Sequence, residues 1–253
     1  MTDPSLTWPA YLPVGGLVAA RCAGILSIAP PLGLPALPVP VRVSAAVTLG
    51  VCLTPVVVRT APVVSASTPG IPYVAQVCSE LAVGAAFGFA AATVVWAAML
   101  AGQAIDAALG LQPPDEGTPP VATLYGLAAA ILLLSGSGYR WLLSGILGSF
   151  RAIPPGHVPR LSSFTAGFSA LPGEALVAAV WIAAPALSAI ILGDIAAAVA
   201  TRCAPALAAS GLNAATRWIV AVAAICVSLP LLAVHVPHLI ESVSRALQAL
   251  IGT

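Results

Sequence analysis

Lysine is absent from the 253 residues, and all nine basic side chains are Arg. Only 7% of residues are charged, against about 25% in ordinary soluble domains. Charge this sparse cannot cover a water-facing surface, so a soluble globular protein is excluded. The arginines are scattered, which excludes nucleic-acid binding through clustered phosphate contacts. Without Lys there is no GxxxxGK[ST] nucleotide loop, and GxGxxG, HExxH and GxSxG are missing too. The five cysteines, Cys22, Cys52, Cys78, Cys203 and Cys226, lie far apart in or beside apolar runs. That spacing fits packing residues, and neither a zinc cluster nor a redox CxxC. Met1-Thr2-Asp3-Pro4 offers no basic start before an apolar run, so a cleavable signal is not expected and the first helix is expected to direct insertion.

What is present is apolar. Hydrophobic residues make up 60% of the chain, and the mean hydropathy is +1.04. This excludes disorder, which needs low hydrophobicity and high charge. A spanning helix needs about 20 mostly apolar residues. Charge-free windows of that kind are Leu81–Ile105, Gly117–Tyr139, Ala175–Gly193 and Trp218–Ile240. Val43–Val58 is shorter, and Tyr11–Ala29 qualifies except for Arg21. A seventh run, Trp141–Phe150, is too short to span and reads as a re-entrant or interfacial helix after Ser135-Gly136-Ser137-Gly138. Proline, with 24 copies, crowds the stretches between: Pro30–Pro40, Ala61–Pro72, Pro113–Pro120 and Pro154–Pro172. The runs are continuous and do not alternate, so helices are expected and a membrane barrel is not. The expected fold is all-α, a polytopic integral membrane protein of about six helices with Pro-broken hairpins. Simple alternation puts Arg42, Arg202 and Arg217 on one side and Arg59, Arg151, Arg160 and Arg245 on the other. The positive-inside rule does not decide between them, which points to helices that are not all simple bilayer spans.

Charges inside apolar runs are costly and face a protein interior or a watery path. Arg21, Arg42, Glu80, Asp106, Asp194 and Arg217 are of this kind. Arg21 with an acid, and Asp194 with Arg217, are candidate interhelical pairs that serve packing or assembly. A proton relay needs a chain of acids, and these are isolated. Gly84-Ala85-Ala86-Phe87-Gly88 is a GxxxG that admits a close helix approach. His235 and His238 share one helix face without an obvious third ligand, and read as a polar helix end. No metal site and no cofactor are expected. Ser137, framed by Gly136 and Gly138, lacks the wider context of an intramembrane serine protease.

Several segments together carry a family resemblance. Arg21-Cys22-Ala23-Gly24 runs into Ala29-Pro30-Pro31-Leu32-Gly33 and then Val39-Pro40-Val41-Arg42. Glu80-Leu81-Ala82-Val83-Gly84 and Ala101-Gly102-Gln103-Ala104-Ile105-Asp106 follow. Then come Ala184-Pro185-Ala186-Leu187, Asp194-Ile195-Ala196, Ala204-Pro205-Ala206-Leu207 and Leu212-Asn213. In order and spacing, over roughly residues 15–240, this resembles the FliR/SctT family, the flagellar and type III secretion export-apparatus proteins. Three departures mark a divergent member. The Gly110–Gly117 loop is shorter and lacks an aromatic, Arg217 stands where SctT proteins often have Lys, and Ala208 or Ala209 stands near the family's Gln.

The resemblance implies a non-catalytic, multi-pass subunit of the export gate in the bacterial inner membrane. It implies FliP/SctR-like and FliQ/SctS-like partners, a FlhB/SctU-like neighbour, and exported polypeptides as cargo. Residues 1–165 would resemble the FliP/SctR-type subunit and residues 166–253 the FliQ/SctS-type hairpin. Asp106 and the loop residues Gly110, Leu111, Gln112, Asp115, Glu116 and Gly117 become candidates for facing the channel, and Gly84 and Gly88 for helix packing. The competing reading is a stand-alone small-molecule transporter. It predicts an internal repeat, and none is clear, although Pro185 interrupts one helix.

Overall fold

The structure, a computed structural model, describes residues 8–29, 38–60, 71–111, 117–135, 138–157, 161–203 and 212–251. Within them the chain forms seven helices: α1 Trp8–Ile28, α2 Val39–Thr60, α3 Ile71–Leu109, α4 Pro120–Leu134, α5 Gly138–Ala152, α6 Leu161–Cys203 and α7 Leu212–Ile251. No strand occurs among the described residues, as expected where lipid leaves backbone groups no partner outside a helix. Four helices, α2, α3, α6 and α7, are long and apolar enough to cross a membrane, and the broken pair α4 and α5 adds a fifth span if counted as one. The protein is therefore an all-α polytopic membrane protein.

The helices run past the apolar windows. The Pro154–Pro172 stretch, expected to separate helices, is helical from Leu161, and α6 continues through Pro172 and Pro185 for 43 residues. A proline forfeits one i→i−4 bond, but in an Ala-rich apolar run that single loss does not stop a membrane helix. Pro230 and Pro237 sit inside the 40-residue α7 in the same way. The Gly117–Tyr139 window is shorter than expected: α4 ends at Leu134, and Ser135 caps it in extended conformation while its N–H bonds Ile131 O at 2.8 Å. The Trp141–Phe150 run lies inside the 15-residue α5, which also takes in Arg140 and Arg151.

Two compact units result. One comprises Met1–Thr93, Gly136–Leu171 and Ser242–Thr253; the other comprises Val94–Ser135 and Pro172–Glu241. In the first unit, Val14, Val18, Cys22, Val57 and Phe150 form a buried cluster joining α1, α2 and α5. Glycines bring the backbones close. A Cβ on Gly50 would lie 2.7 Å from Ala19 Cα, and one on Gly88 would lie 2.5 Å from Ile25 O. A Cβ on Gly84 would collide with the Arg21 carbonyl. The 84–88 GxxxG thus packs α3 on α1 within this one chain. In the second unit Gly102 seats α3 on α4, where its Cβ would lie 2.5 Å from Ala122 Cα.

Candidate functional site

In the first unit the charges meet at one point. Arg21 comes from the middle of α1 and Glu80 from the third turn of α3, just ahead of its Ala/Gly-rich run, and both side chains are 0% exposed. Small residues at the α1–α3 contact are what allow so large a pair to fit there. Arg21 Nε donates to Glu80 Oε2 at 2.5 Å. Arg21 Nη1 donates to the Ser149 carbonyl at 2.8 Å, and the guanidinium lies over the Phe150 ring, 4.4 Å from its centroid. The other carboxylate oxygen, Glu80 Oε1, accepts from Gly156 N–H at 2.9 Å. One ion pair therefore ties α1 and α3 to the last turn of α5 and to the turn after it. Gly156, at φ +88°, takes a left-handed conformation that favours glycine. Among the described residues Arg21 Nη2 has no hydrogen-bond partner. Burial of such a pair gives no reagent for chemistry, because each charge is neutralised by the other; it gives a fixed joint.

In the second unit Asp106, 2% exposed, anchors both ends of the 110–119 connection. Its carboxylate accepts from Val121 N–H at 3.1 Å and Ala122 N–H at 2.8 Å. These belong to the orphan donors at the start of α4, which begins Pro119-Pro120 and has no side-chain cap of its own. Its backbone carbonyl accepts from Leu111 N–H at 2.9 Å, while Gly110 N–H bonds Ala107 O at 3.2 Å. With Gly110 at φ +71°, this is a Schellman end to α3. Nearby, Arg217 of α7 donates through Nη2 to Ala108 O at 2.8 Å. Its Nε lies 3.3 Å from Asp194 Oδ1 of α6, with side chains 46% and 48% exposed. A cation on the last carbonyls of α3 complements the helix dipole.

The sequence-predicted residues thus fall into separate groups. Arg21 and Glu80 pair, Asp194 and Arg217 pair, and Asp106 is occupied by the backbone of α4. Arg42 is half-buried in the first turn of α2 and makes contacts of its own. Gly110 and Leu111 form the helix end, and Gly117 is exposed ahead of α4. Gln112, Asp115 and Glu116 lie outside the described residues. His235 bonds Leu231 O of its own helix at 2.9 Å. Among the described residues no three His, Cys, Asp or Glu side chains group as metal ligands would. Sequence reasoning missed Ser149, Phe150 and Gly156 as partners of the ion pair, and the buried bond between Tyr125 and Ser228. Nothing in the spacing of those residues signals them.

The model for "Bacterial export proteins, family 1" matches residues 12–243. The chain belongs to this family. It is the family of FliR and SctT, so the resemblance carried by the Arg21, Glu80 and Asp194 segments is confirmed. No curated protein matches the chain. Membership makes the chain a bacterial export protein. The export family's matched span begins at α1 and ends in α7, so it includes every joint described above.

Proposed function

We propose that this chain is the FliR/SctT-type subunit of the inner-membrane export gate of a type III secretion system, flagellar or injectisome. Its neighbours are FliP/SctR-like and FliQ/SctS-like subunits and a FlhB/SctU-like subunit, and its cargo is exported polypeptide. The family match over residues 12–243 carries the reading. Helix length supports it. The helices α3, α6 and α7, of 39, 43 and 40 residues, are about 58–65 Å long at 1.5 Å per residue, twice the roughly 30 Å hydrocarbon core. Helices of that length suit an assembly that rises out of the bilayer. Unequal burial supports it as well: the apolar window of α3 is 72% buried, whereas those of α2, α6 and α7 are 22%, 39% and 28% buried.

In this role the subunit is non-catalytic. Residues 1–165 act as the FliP/SctR-like part and residues 166–253 as the FliQ/SctS-like hairpin. The Gly110–Gly117 loop faces the channel, and Asp106 contributes from its base, holding α3 and α4 together. The test is native mass spectrometry of the tagged protein extracted in mild detergent. A heteromeric mass with two other small membrane proteins is expected. A monomer or homodimer across several detergents would overturn the reading in favour of a stand-alone transporter.

A further inference from the structure

The antiparallel pair α1–α2 is close at its middle, where Gly50 meets Ala19, and opens into a groove of about 620 Å³ along one side. Gly15, Ala19, Val47, Val51 and Thr54 form much of its wall, and Arg59 stands at one end. The Thr54 hydroxyl is spent on Gly50 O at 2.6 Å, so the wall presents an apolar surface. Among the described residues of that wall, Arg59 alone is charged. The volume lies in the range of small-molecule sites, about 300–1,000 Å³.

Position along the membrane helix narrows the occupant. The 22 residues of α2 are about 33 Å long, close to the roughly 30 Å hydrocarbon core. Arg59, the penultimate residue, therefore sits at headgroup level when α2 spans. From there the groove follows α2 back to Val47, about 18 Å at 1.5 Å per residue, near the roughly 15 Å of one leaflet. A cation at the interface above an apolar slot one leaflet deep matches an anion carrying a single long hydrocarbon chain into the bilayer. We propose that the α1–α2 groove is a lipid site: it holds one acyl chain of an anionic phospholipid, with the phosphate on Arg59. A partner helix would fill the slot but bring no anion to Arg59 unless it carried an acid at that level.

The test uses the intact membrane complex, purified in mild detergent and exchanged with phosphatidylglycerol or phosphatidylethanolamine, with bound lipid counted by native mass spectrometry. Wild type is expected to hold one more phosphatidylglycerol than the groove variants do. Arg59→Gln, at an exposed position that cannot disturb the core, is expected to lower the preference for phosphatidylglycerol about fivefold, the worth of one interfacial Arg. Gly15→Leu fills the slot, since a Cβ there meets only the Thr54 side chain, at 3.5 Å from Oγ1 and 3.9 Å from Cγ2; retention of both lipids at this site is expected to be lost. Equal phosphatidylglycerol occupancy in wild type and both variants would overturn the proposal. So would a Val51→Cys cross-link to another subunit in native membranes, which would make the groove a subunit contact.

Discussion

Removing Glu80 while keeping Arg21 is the perturbation with the largest consequence. Both side chains are 0% exposed, so Glu80→Leu leaves a guanidinium in the interior with one carbonyl bond, to Ser149, and the Phe150 face. Breaking a buried pair by deleting one partner costs about 3–5 kcal/mol, at least a hundredfold in the folded-to-unfolded ratio. The Gly156 N–H also loses its acceptor, but Gly156 is only half-buried, so water softens that loss. Replacing both charges, as Arg21→Met with Glu80→Leu, removes the uncompensated ion; such double replacements are often neutral or stabilising by about 1–4 kcal/mol. The double variant is therefore expected to be more stable than Glu80→Leu alone, and Glu80→Gln, whose single amide oxygen can accept from Arg21 or from Gly156 but not from both, to fall between. Thermal and denaturant unfolding of the purified complex in a double-mutant cycle measures this. Effects that add within about 0.5 kcal/mol, as independent sites do, would refute the joint.

Three further outcomes follow from the same geometry. Asp106→Ala strands two buried N–H groups at the start of α4, at about 1–3 kcal/mol for each left unpaired; faster amide exchange at Val121 and Ala122 checks it, and Asp106→Asn loses less. Gly84→Ala and Gly88→Ala force a methyl into the α1 backbone and cost about 1–3 kcal/mol by overpacking, whereas Gly145→Ala on α5 meets nothing within 4 Å and gains about 0.5–1 kcal/mol of helix stability; melting temperatures separate them. Asp194→Asn breaks a half-exposed pair and costs under about 1 kcal/mol, an effect expected to vanish in high salt and to be read from melts at two ionic strengths.

Most of the helical fold was legible because apolar runs of the needed length leave few alternatives in a membrane. Helix ends were less legible. Proline is a breaker in water, and the sequence places a break between helices across Pro154–Pro172, whereas α6 begins at Leu161 and runs through Pro172. The charged joints were half legible. An ion inside an apolar run demands a partner, which drew attention to Arg21, Glu80, Asp194 and Arg217. Which acid meets Arg21 depends on α1 and α3 lying side by side, and Ser149 and Gly156 contribute backbone atoms that no side-chain pattern encodes. Asp106 is instructive in another way. The sequence shows only a charge near a loop; the structure adds that its carboxylate satisfies α4, whose own Pro-Pro start offers no cap.

The open face of α6 decides between a lipid-bathed protein and a subunit. Its large exposed apolar side chains run from Leu176 through Trp181, Leu192 and Ile195 to Val199, about 35 Å along the axis, near one bilayer thickness of roughly 30 Å. Length alone therefore allows either neighbour. Packing distinguishes them. Lipid tails conform to any apolar shape, whereas a protein neighbour is fitted to native density, where added bulk costs about 1–3 kcal/mol. For a gate subunit, Ile195→Trp and Leu192→Trp keep the band largely apolar but misfit the partner, so they are expected to strip small membrane subunits from the complex while leaving this chain inserted. Subunit composition by native mass spectrometry, beside the membrane-inserted amount of the chain, reads both effects. A full complement of partners with Trp at each of these positions would mean that α6 faces lipid, and the assembly would have to be built on another face.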